Sequence, residues 1–170
     1  TSYVKEFPPG SAGGAKYLFL FATAMTGGKT FDESEIAWIE EALDRHAGAK
    51  AFLFTHAPMR GLFPEAGDRT MKNDLFDRVV RRDNVVAVFS GHTHLDMDAA
   101  TSHAVDAYGV HHVHVPGIER TKVGPRHTPR FRLVTILRGG EVIVETYNVL
   151  TGAPEPRHAV RFSLRFENGG

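Results

Sequence analysis

Apolar and polar positions fall along the chain in blocks of changing period, and those periods predict the elements. Tyr17 to Ala24 is a short apolar run rich in aromatics, closed by Gly27-Gly28, and reads as a buried strand. Thr30, with Glu33 three residues on, has the form of a capping box ahead of a helix. Ile36, Ile39 and Leu43 then recur at the helical period, and Gly48 supplies the stop. Ala51 to Thr55 repeats the short apolar run and leads into a loop punctuated by Pro58, Gly61, Pro64 and Gly67. Thr70 to Arg82 predicts a second helix, with Met71, Leu75 and Val79 at every fourth residue beside Phe76 and Val80, and Val85 to Phe89 predicts another buried strand. Strands alternating with helices from residue 17 to residue 89 imply a parallel sheet with crossover helices.

The second half changes character. His111 to Val115 reads as a half-exposed strand, because Val113 and Val115 alternate with His112 and His114 before Pro116-Gly117 ends the run. Phe131 to Leu137 and Val142 to Val149 flank Gly139-Gly140 as a hairpin. Val160, Phe162, Leu164 and Phe166 alternate with Arg161, Ser163 and Arg165 as a half-exposed strand. Pro8-Pro9-Gly10 and the Ser11-to-Gly14 stretch make residues 1–16 a loop or linker, leaving 17–170 as one α/β unit that passes into antiparallel β.

Composition narrows the function classes. With 20 Lys and Arg against 20 Asp and Glu the chain is no strongly basic nucleic-acid module, and without cysteine it has no disulfide framework. No apolar run approaches the roughly 18 residues of a membrane span, and no secretory leader pattern opens the chain. The expectation is a soluble protein with no membrane partner; its compartment is open, with the cytoplasm favoured. The chain starts without Met, so an upstream segment is expected to have been removed. What changes the picture is the ten histidines, several of them clustered.

His56 directly follows the strand Ala51 to Thr55, and Gly91-His92-Thr93-His94 directly follows the strand Val85 to Phe89. Parallel strands joined by a crossover end at the same edge of the sheet, where open α/β sheets bind ligands. Strands lie about 4.8 Å apart, so neighbouring ends bring three imidazoles within reach of a metal. Gly91 lets the chain turn sharply and approach a ligand closely, and Pro58 stiffens the exit of the other loop. Across an extended turn His92 and His94 project in different directions, which suits two adjacent ions, or one ion and a substrate oxygen. A lone histidine is usually structural; three at converging strand ends are a metal-site pattern.

Phe54-Thr55-His56-Ala57-Pro58 and Ser90-Gly91-His92-Thr93-His94 resemble the last two signature motifs of the calcineurin-like metallophosphoesterases, and the order of elements over roughly residues 17 to 150 is similar to theirs. The resemblance implies part of a four-layer α/β/β/α sandwich, with His56 and His92 on one divalent ion (Mn, Fe or Zn) and His94 on its neighbour. It also implies hydrolysis of phosphate mono- or diesters by a metal-bound hydroxide. The family's earlier motifs, D-x-H, G-D-x-x-D and G-N-H-D/E, do not occur in this sequence. The chain therefore resembles the C-terminal half of such an enzyme, inactive alone, whose remaining ligands come from a missing N-terminal segment, a partner subunit or a second copy. The alternative is a degenerate, non-catalytic module of the same fold, serving binding or assembly.

Other side chains carry less. His111, His112 and His114 form a tempting cluster that the strand alternation explains. Asp96 and Asp98 are candidate outer acceptors for metal-bound imidazoles, and Arg60 could meet a substrate phosphate. Arg78, Arg81 and Arg82 complement a helix C-terminus. His103, His127 and His158 show no partner pattern.

Overall fold

The computed structural model describes residues 2–7, 16–23, 28–98, 100–118 and 128–164. Nine strands and two helices are assigned among them: β1 (Tyr3–Phe7), β2 (Lys16–Ala22), α1 (Glu33–Arg45), β3 (Ala49–Thr55), α2 (Asp77–Val80), β4 (Val85–Ser90), β5 (His103–Val105), β6 (His111–His114), β7 (Arg130–Ile136), β8 (Glu141–Asn148) and β9 (Val160–Ser163). Six strands form a mixed sheet in the order β1-β2-β3-β4-β6-β5, and β7-β8-β9 form a second, antiparallel sheet. The expected parallel core is present as β2, β3, β4 and β6, with β1 and β5 added antiparallel at the two edges.

Two cores sandwich the large sheet. On one face Leu18, Leu20, Leu53 and Val88 pack against Ile36, Ile39 and Leu43 of α1 and Val79 and Val80 of α2. On the other, Phe52, Ala87, Phe89 and Val113 meet Val142 and Val144 of β8 and Val160 and Phe162 of β9. Each fully buried Leu of the first core contributes about 2 kcal/mol by leaving water. The result is a helix layer, a mixed sheet and a small antiparallel sheet.

Several elements differ from their sequence reading. The capping box at α1 is Asp32 and Glu35, not Thr30 and Glu33: the Asp32 carboxylate accepts from the Glu35 backbone N–H at 2.8 Å, and Glu35 accepts from the Asp32 N–H at 3.2 Å. The helix expected over Thr70 to Arg82 shrinks to α2, because the backbone before it is spent on other segments. The Met71 N–H donates to the Pro58 carbonyl, the Lys72 N–H to that of Lys29, and the Asn73 side chain to that of Phe31. Arg78 and Arg82 reach across to Glu33, Glu40 and Asp44 of α1 instead of serving the end of their own helix. Part of the expected linker is the edge strand β1. β6 is a buried strand rather than a half-exposed one: Val113 lies in the inter-sheet core, and His112 and His114, which alternate with it, are also buried, so both faces are covered. Phe166, the last residue of the expected C-terminal strand, and His127 lie outside the described residues.

Candidate metal-binding site

Register places the site. Thr55 pairs with Ser90, and Ser90 with His114, so β3, β4 and β6 end level with one another. The chain leaves β3 at His56 and β4 at Gly91, and the Gly91 N–H donates to the His56 carbonyl at 3.0 Å, so the two exits stay bonded one residue past the sheet. The Thr55 hydroxyl donates to the Ala57 carbonyl and fixes the turn that carries His56.

These exits bring two of the three expected histidines together. His92 Nδ1 lies 2.7 Å from His56 Nε2, with the rings tilted at 58° and 4.6 Å between centroids. Two neutral imidazoles at that separation share one proton, one ring donating N–H to the bare nitrogen of the other. The same two nitrogens fit a metal ion after a small movement: ligands at about 2.0–2.1 Å in tetrahedral array are about 3.3 Å apart, so they need to separate by about 0.6 Å. His56 is exposed and His92 half-buried, which leaves the rings room to do so. His94 does not complete a triad with them. Among the described residues no group of three or more His, Asp or Glu side chains is arranged to hold a metal ion.

The glycine that the site needs is Gly28, not Gly91. Gly91 has an ordinary backbone, and a Cβ there would meet only carbonyl oxygens, at 3.7 and 3.9 Å. Gly28 has φ +70°, and a Cβ on it would stand 2.2 Å from His56 Cδ2. The Gly28 backbone thus lies against the His56 ring at a distance only a hydrogen permits.

The loop bearing the second motif is strained. His92 has φ 62° and His94 φ 50°, the two non-glycine residues with positive φ among those described. The Thr93 N–H donates to the Gly91 carbonyl at 2.7 Å, closing a three-residue turn over His92. Turns of this kind are rare, and backbone in sparsely populated regions costs of order 1–3 kcal/mol per residue unless its surroundings enforce it. With two left-handed histidines around one residue the turn is not extended, so the condition under which His92 and His94 project in different directions is not met. Between them Thr93 is 0% exposed, and its hydroxyl lies 2.6 Å from Nε2 of His114, also 0% exposed. Burial, with lesser contributions from Arg132 and His94, lowers the His114 pKa to about 4, so that ring is neutral. Its Nδ1 and the hydroxyl of Ser90, its register partner, are buried with no hydrogen-bond partner among the described residues.

The remaining candidates have other engagements. Asp96 and Asp98 are engaged by Arg130, which is 2% exposed and lies 3.6 Å from Asp96, 2.9 Å from Asp98 and against Glu155. Burial raises the Asp98 pKa, but hydrogen bonds from Arg130 and His158 outweigh it and hold the carboxyl below its ordinary range. His158 finds its partner here, 2.8 Å from Asp98. Arg60 donates to the Lys72 carbonyl at 2.6 Å and lies 3.5 Å from Asp74. His103 Nε2 lies 3.0 Å from His111 Nδ1, and His112 pairs with Asp106 at 2.9 Å. Sequence reasoning missed Gly28, Thr93 and His114. Only His114 left a signal: like His56, it ends a parallel strand. A scan of the chain against protein-family models and a search of curated proteins found no match.

Proposed function

We propose that the chain is the C-terminal part of a metal-dependent phosphoesterase, in which His56 and His92 hold a divalent cation for hydrolysis of phosphate mono- or diesters. The observation that carries this reading is the convergence of His56 Nε2 and His92 Nδ1 to 2.7 Å at the level ends of two adjacent parallel strands. A divalent cation bound there supplies Lewis-acid polarisation of a phosphate oxygen and lowers the pKa of a water toward about 7. Gly28 leaves room for the His56 ring, and the turn over His92 carries the ring whose Nδ1 meets His56 Nε2. His94, beyond the same strained loop, is assigned to a neighbouring ion.

Two imidazoles leave a divalent charge uncompensated, so Mn, Fe or Zn binds the chain weakly and singly until carboxylates join it. Those come from a preceding segment, a partner subunit or a second copy. The aromatic face of β1 and β2, on the side of the large sheet that carries β7, β8 and β9, gives such a segment somewhere to pack and would widen that antiparallel layer. There Tyr3, 52% exposed, stacks on Phe21, Phe21 on Phe54, and Phe54 on Phe89 of the inter-sheet core. Soluble proteins seldom leave such a face open.

Titration of the chain with Mn2+, and hydrolysis of bis-p-nitrophenyl phosphate by the chain and by any longer form, test the proposal. It predicts one weakly held ion on the chain and turnover only in the longer form, abolished by His92→Ala. Two tightly held ions on the chain alone, or unchanged turnover in His92→Ala, would overturn it. The second reading, a non-catalytic module for binding or assembly, is favoured by the lack of a carboxylate-completed site among the described residues. It predicts no turnover in any form.

A further inference from the structure

We infer that His114 and Thr93 are positioning residues for the His56–His92 pair, acting as a buried strut that holds the strained loop in its binding conformation. The inference rests on the proposed reading of that pair as a cation site, and adds residues that touch neither cation nor substrate. His114 sits on β6, hydrogen-bonded between β4 and β5, so its imidazole is fixed by the sheet. Phe63 covers the ring edge-on at 6.3 Å. Its Nε2 meets the Thr93 hydroxyl at 2.6 Å, while the Thr93 N–H is held at 2.7 Å by the Gly91 carbonyl. Thr93 is thereby pinned through both side chain and backbone, and the residues on either side of it are the two left-handed histidines. A loop with two such residues relaxes unless something rigid over-determines it. Relaxation of the turn at His92 swings its Nδ1 away from His56. The His114 ring suits the task because it is 0% exposed and presents one ring nitrogen to the Thr93 hydroxyl.

The test uses the full chain, Zn2+ alone as probe, and two readouts: Zn2+ affinity by calorimetry, and the ring-to-ring nuclear Overhauser contact between His56 and His92 in metal-free protein. Thr93→Val keeps the shape and removes the hydroxyl; Thr93→Ser restores it. His114→Phe removes the nitrogen, and His114→Gln returns a polar group near the Nε2 position. The expected result is an at least tenfold weaker Zn2+ affinity and loss of the ring contact in Thr93→Val and His114→Phe. Thr93→Ser and His114→Gln should recover both, and all variants should melt cooperatively. Should His114→Phe fail to fold, Thr93→Val decides alone. Wild-type affinity and an intact ring contact in Thr93→Val would overturn the inference. If the wild-type chain binds no Zn2+, the cation reading fails, and the ring contact still decides the strut: lost in Thr93→Val it stands, kept it falls.

Discussion

Gly28→Ala isolates the geometry of the site from the stability of the fold. An L-residue at φ +70° carries a backbone penalty of about 1–2 kcal/mol. The new Cβ, built 2.2 Å from His56 Cδ2, must also be relieved to ordinary carbon contact of about 3.5–4.0 Å, so the ring moves by about 1.5 Å. His56 is exposed, so it swings into solvent at little cost to the fold, but its Nε2 leaves the 2.7 Å contact with His92. Displaced by that much, the nitrogens stand about 4 Å apart, too far for the hydrogen bond and too far to share one ion. Urea unfolding and Zn2+ calorimetry should be run on Gly28→Ala in the wild-type and His56→Ala backgrounds. The expected pattern is the same stability loss of about 1–2 kcal/mol in both backgrounds, with an at least tenfold loss of Zn2+ affinity only where His56 is present. Wild-type affinity in Gly28→Ala would show that the Gly28 backbone does not set the position of the His56 ring.

Three further outcomes follow from the structure. Gly91→Ala, despite its place in the second motif, should cost less than about 1 kcal/mol and leave Zn2+ binding intact, because its Cβ meets only ordinary contacts; a large loss by calorimetry or urea unfolding would contradict this. Arg130→Met should cost about 3–5 kcal/mol in urea unfolding, because it strands the buried Asp96 beside Asp98 and Glu155; a loss under about 1 kcal/mol would show the network to be dispensable. Acid should weaken the fold in two stages. His111 and His114, each lowered to about 4 chiefly by burial, stay neutral in the fold and take up protons on unfolding, so stability falls between about pH 6.5 and 4. For the fully buried His114 that loss is about 3 kcal/mol at most, and less for the half-buried His111. Below pH 4, carboxyls held low by hydrogen bonds against burial, Asp98 and Asp106, lose their contribution in turn. Urea midpoints at pH 7.5, 5.5 and 4.5 check the first stage, and His114→Gln should flatten part of it.

The parts of the fold legible in the sequence were those set by local pattern. β3 and β4 are short apolar runs that stop at polar residues, and the histidines at their ends meet because parallel strands end level. Where tertiary contacts impose the pattern, the reading failed. The apolar spacing from Met71 to Val80 mimics a helix, but Met71 and Phe76 are buried by a loop whose backbone bonds go to Pro58 and Lys29. β1 and β5 were invisible because edge strands need bury neither face, and β1 carries exposed Lys5 and Glu6 between its aromatics. The roles of Gly28 and His114 depend on which strand lies beside which, a fact no local period encodes. Gly91 was overvalued for the converse reason: its place in a motif said nothing about the space around it.

In the proposed function His56 and His92 together form one cation site. Long-range 1H–15N correlation of the imidazoles during a Zn2+ titration tests it most directly, because it reports each ring nitrogen separately. His56 Nε2 and His92 Nδ1 should shift together toward one ion per chain, and His56→Ala or His92→Ala should remove the response. Zn2+ shifting only other histidines, or binding equally to both variants, would contradict it.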